Sequence, residues 1–160
     1  MTDADKESSH RAAEARIQTF SYQKPGEQKD RDGEPMVKQI ASLLRSDLVR
    51  LTVQIVKEGG ENNLHYHTGG DTVWMVLKGG AKFYGVGDKL IGELGPQDGI
   101  LLPGGARYWF EKVGSEDLEI LQIVCKESRS AQTQRINLDA HKNWMTEDRL
   151  QVYDKEKAAP

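Results

Sequence analysis

Two histidines one residue apart, His65 and His67, are the pair in this chain best suited to chemistry. Side chains two apart on an extended segment share a face, so both imidazoles point the same way, with Asn63 on the same parity. Two neutral imidazoles on one face suit Fe, Ni, Cu or Zn. By itself the pattern reads equally as two ordinary core or surface histidines.

Something must hold that segment extended, and the glycines indicate what. Thirteen of the 16 glycines lie between Gly59 and Gly105. Glycine reaches positive φ without steric cost, so it punctuates turns at these short intervals. Between them run short apolar stretches, including Leu51 to Val56, Thr72 to Leu77, Ala81 to Tyr84, Ile100 to Leu102, Tyr108 to Phe110 and Leu118 to Cys125. Strand-sized runs at this spacing predict an all-β, antiparallel barrel or jelly roll over residues 48–126. Flanking it are an expected disordered tail over 1–15, a segment over 16–47 with strand-like residues suited to dimer formation, and a polar C-terminal extension over 127–160, the flanks short-helical or irregular.

Composition bounds the partners. The chain has 160 residues, 22 basic against 25 acidic, and one cysteine. The charge gives no basic footprint for nucleic acid. One cysteine cannot form an internal disulfide, and Cys125 reads as a small core residue. No apolar run reaches the roughly 18 residues of a membrane span, and the acidic N-terminus lacks a signal-peptide pattern. A cytoplasmic protein with no membrane partner is expected. No phosphate loop or nucleophile elbow is present. His10 and His141, in polar segments, are expected to be solvated, and Arg107 to lie at the surface.

The frame around the histidines resembles the cupin superfamily. His65-Tyr66-His67, Gly69-Gly70, then Thr72 and six residues to Gly79 follow the spacing of its first motif. Gln97-Asp98, the strand Gly99 to Leu102, and Pro103-Gly104-Gly105 follow its second. The resemblance implies a small jelly-roll barrel that holds a divalent transition metal, one of Fe, Ni, Zn or Mn. Of the usual three histidines and one glutamate, only His65 and His67 carry over. Thr72 stands at the glutamate position, Tyr108 at the third histidine, and Lys112 at a frequent asparagine.

That departure leaves two functions open. In one, His65 and His67 hold a metal weakly, with Tyr108, Asp71 or water completing the shell, in a dioxygenase- or isomerase-like enzyme. Tyr108 and Thr72 would then serve catalysis. In the other, the barrel binds or senses a small organic ligand without a tightly held metal. Asn63, Trp74, Phe110 and Gln122 are the candidate substrate contacts, although Trp74 and Phe110 equally suit a role as barrel filling. Asp71 is one residue out of phase with Thr72, so only a bulge could turn it toward the histidines. The resemblance also implies a homodimer.

Overall fold

The computed structural model describes residues 1–139, 142 and 150–154. It opens with a helix, α1 (Asp3–Glu14), where the sequence suggests a disordered tail. A reciprocal cap starts it: Thr2 Oγ1 accepts from the Asp5 N–H at 3.2 Å, and the Asp5 carboxylate accepts from the Thr2 N–H at 2.8 Å. Asp3 and Asp5 in the first turn and Arg11 in the last complement the helix dipole. No residue of α1 is buried.

Eleven strands follow among the described residues: β1 (Lys38–Arg45), β2 (Val49–Val56), β3 (His65–His67), β4 (Gly70–Lys78), β5 (Gly80–Tyr84), β6 (Leu90–Leu94), β7 (Gly99–Leu102), β8 (Trp109–Val113), β9 (Leu118–Lys126), β10 (Arg135–Asn137) and β11 (Leu150–Asp154). One sheet runs β11-β1-β2-β9-β4-β7, antiparallel except where β11 joins β1. The second comprises β6-β5-β8 and the pair β10-β3. A bridge between His65 and Tyr108 links its two parts, each backbone N–H donating to the other's carbonyl at 3.0 and 2.9 Å. The fold is an all-β jelly roll.

Register fixes what faces inward. Thr52, Gln122 and Trp74 stand opposite one another across β2, β9 and β4. On β4, Thr72, Trp74 and Val76 are buried while Val73 and Met75 are half-buried. The inner rows form a gradient. One end is packed with Val56, Val76, Phe83, Phe110, Leu118 and Ile120, whose burial supplies the main stabilisation. Further along come Thr52, Gln54 and Gln122, and at the rim the cations Arg50 and Lys126.

Residues 22–27 are tied across the outside of the first sheet. Tyr22 donates to Glu119 at 2.6 Å, Lys24 pairs with Asp117 at 3.0 Å, and Gln39 donates to the Gly26 carbonyl at 3.0 Å. Burial, with Glu119 alongside, pushes the Tyr22 pKa up. Cys125 departs from its expected core role: the odd positions of β9 near its end turn outward, and the thiol is exposed. His10 and Arg107 are exposed. His141, Trp144 and Met145 lie outside the described residues. No helix among the described residues is long and apolar enough to cross a membrane.

Candidate functional site

The histidine strand β3 lies between Tyr108 on one side and β10 on the other, so part of the polar C-terminal extension forms a wall of the site. Arg135 pairs in register with His67 and Asn137 with His65. Both ends of the Asn63 amide are engaged there: its nitrogen donates to the Asp139 carbonyl at 2.6 Å, and its oxygen accepts from Arg135. Asn63 thus holds the extension, and with it Arg135, against the barrel.

His65 is buried, and its Nδ1 lies 2.6 Å from the Asn63 carbonyl. A carbonyl only accepts, so Nδ1 carries the proton and Nε2 keeps its lone pair. The His65 and His67 ring centroids are 5.0 Å apart with planes at 87°, and Tyr108 lies 4.5 Å from His65. Burial first, and then the Arg135 charge, lowers the pKa of His65 to about 3. The same two causes, with Arg50, lower His67 to about 4. Both imidazoles are therefore neutral at physiological pH. Burial raises the Tyr108 pKa to about 12, so it remains a phenol, and its oxygen accepts from the Trp74 indole at 3.2 Å.

The other expected residues divide. Thr72 is buried on the inner row of β4. Trp74 and Phe110 pack edge to face, centroids 5.3 Å apart, and Phe83 lies 5.2 Å from Phe110, so these rings fill the barrel against one another. Gln122 faces inward and accepts from both Thr52 Oγ1 and Gln54 Nε2 at 3.3 Å. Asp71 is not brought to the histidines. No bulge interrupts β4 there; Asp71 is exposed, and its carboxylate accepts from the Gly104 N–H at 2.9 Å.

Four residues of this region escape the sequence reading: Lys38, Arg50, Gln54 and Arg135. Lys38 on β1 donates from Nζ to the Asn62 side-chain oxygen Oδ1 and lies 5.9 Å from the Phe110 ring centre. Burial, reinforced by Arg135, lowers its pKa to about 7. Gln54 is buried, and its Oε1 has no hydrogen-bond partner among the described residues. Alternation within β2 was the available signal, because Gln54 shares parity with Val56 and Thr52.

A tightly held divalent metal does not fit this donor set. Among the described residues no three His, Cys, Asp or Glu side chains converge. Tyr108 retains its proton and the Asp71 carboxylate faces away. The positive charge of Arg135, already felt by both imidazoles, and that of Arg50, felt by His67, would oppose a dication twice as strongly as a proton.

The sequence matches the cupin domain family over residues 52–124. No curated protein matches the chain. Among solved structures, an RmlC-like cupin from Methanocaldococcus jannaschii is 11% identical with a TM-score of 0.53, covering 69% of this chain and 92% of that one. An uncharacterized conserved protein with a double-stranded β-helix domain from Klebsiella pneumoniae is 18% identical, TM-score 0.52, covering 61% and 82%. A cupin superfamily protein from Desulfitobacterium hafniense is 19% identical, TM-score 0.51, covering 70% and 99%. At these identities the likeness is one of fold. The paired motifs, the two-sheet topology and the family match agree: residues 52–124 form a cupin domain.

Proposed function

We propose that this protein binds a small polar organic molecule in the polar half of its barrel, without a tightly held metal. Gln54 is the observation that carries the reading. An acceptor buried without a donor costs about 1–3 kcal/mol, and a bound hydroxyl or amine would satisfy it. The surroundings support the same chemistry. Neutral His65 offers a lone pair at Nε2, and Tyr108 stays protonated and able to donate. Arg135, held by Asn63, gives the wall a positive charge suited to an anionic group on the ligand.

The test is mass spectrometry of gently purified, dialysed protein, native and denatured, with metal analysis alongside. A small molecule released only on denaturation is the expected result, with metal well below one per chain. Gln54→Leu should lose that molecule while folding as stably as the wild type or up to about 1 kcal/mol more so, since it removes an unpaired acceptor. One metal ion per chain surviving dialysis would overturn the reading, as would unchanged retention of the small molecule by the variant.

A further inference from the structure

At the rim of the barrel a separate cavity of about 200 Å³ is lined by Arg45, Arg50, Lys126 and Arg129, with Asp47 as its one acidic residue. The whole chain carries a net charge of −3, so four cations around one small space are a local feature. Arg129 pairs with Asp47 at 2.5 Å, and Lys126 donates to the Arg129 carbonyl at 3.2 Å. Neither Arg45 nor Arg50 has an ion pair among the described residues.

Their placement is the informative part. Arg45 on β1 and Arg50 on β2 stand directly opposite in the register. Like charges in that position destabilise an antiparallel pair. Burial, and then the charge of Arg45, lower the Arg50 pKa. Two opposed guanidinium groups with a lysine beside them are relieved by one compact anion, which can accept from both forks. The cavity is smaller than the roughly 300–1,000 Å³ of a drug-sized pocket, so it fits a head group rather than a whole ligand. A neighbouring space of about 550 Å³ shares Arg45 and Arg129 and leaves room for the rest.

We propose that this rim cavity is an anion site for the phosphate group of a small phosphate monoester, held by Arg45, Arg50 and Lys126. A monoester carries a charge of about −1.5 to −2 at neutral pH. That offsets about half to two-thirds of the three positive charges of Arg45, Arg50 and Lys126 left after Arg129 is paired with Asp47. Gln54 and the histidines do not line this cavity, so the site stands independently of the barrel-interior reading.

The experiment is isothermal titration of the full chain with glycerol phosphate, sodium chloride holding the ionic strength constant and malonate serving as a dicarboxylate comparison. Saturable one-to-one binding of glycerol phosphate is expected, with malonate weaker. Arg50→Gln and, separately, Arg45→Gln should weaken it about 10- to 100-fold, the range for one lost charge-assisted hydrogen bond. Each should leave the unliganded melting temperature unchanged or higher, because an opposed like charge is removed. The distant Lys78→Gln should bind normally. No saturable binding above the salt control would overturn the proposal, as would undiminished binding by both arginine variants. Malonate binding as tightly as glycerol phosphate would overturn the phosphate assignment.

Discussion

His65 and His67 stay neutral because burial and Arg135 oppose their protonation, which makes them a liability in acid. In the unfolded chain both take up protons near pH 6.5, whereas in the fold they do so only near 3 and 4. Across that interval the unfolded state binds more protons, so stability present above about pH 6.5 is lost as the pH falls. Urea unfolding should therefore show the wild type losing roughly 2 kcal/mol more than a His65→Asn, His67→Asn variant between about pH 7.5 and pH 5.5. Lys38, lowered by burial to about 7, takes up its proton in the fold over the upper part of this range in both proteins, so its contribution cancels in the comparison. Equal losses in the two proteins would show that the imidazoles titrate normally in the fold.

At the scale of elements, β3 has only three residues and depends on its neighbours for its position. Ile136 stands opposite Tyr66, and the pairing continues outward as the Thr68 N–H donates to Gln134 and the Leu138 N–H to Leu64. Ile136→Pro removes a backbone donor in the middle of this ladder. Amide exchange over residues 64–68 should accelerate by at least about tenfold, the equivalent of roughly 1.4 kcal/mol of local stability, while exchange in β9 stays slow. Unchanged exchange over 64–68 would mean that β10 does not support the histidine strand. Here the sequence was least legible. Residues 127–139 look like a polar extension because β10 contributes one ladder and one arginine rather than an apolar face. The central strands were legible because Trp74, Val76, Phe83 and Ile120 alternate with the pleat, and glycines mark their turns. Gly70, the first residue of β4, shows how closely the strands pass beside such a turn: a Cβ there would lie 2.0 Å from the Cys125 carbonyl oxygen. The polar inner residues of β2 were hidden within a strand that reads as core, and Lys38 within a flank, because neither strand period nor residue type tells which buried polar group lacks a partner.

For the molecule as a whole, the homodimer implied by the family is carried forward as a proposal, and the fold changes where it would form. Strand β1 has β2 on one edge and β11 on the other, so neither edge is left for a second chain. Residues 22–27 are already tied across one part of the outer face. The part over β4, β7 and β9 is uncovered among the described residues: Val73, Met75, Leu121 and Ile123 are half-buried, Leu77 is 38% exposed and Leu101 58% exposed. These outward residues are adjacent in the register, Val73 lying opposite both Leu101 and Ile123, and Met75 opposite Leu121. A contiguous apolar face of this kind on a small protein marks a contact surface, and a two-fold axis through it would let the face cover itself. Light scattering at micromolar concentration should give twice the 17.9 kDa chain mass. Met75→Lys with Leu101→Glu should halve that mass without unfolding the barrel, because both side chains project away from the Trp74 and Phe110 core. A wild-type mass of one chain would remove the dimer; a dimer that survives both charges would place its interface elsewhere.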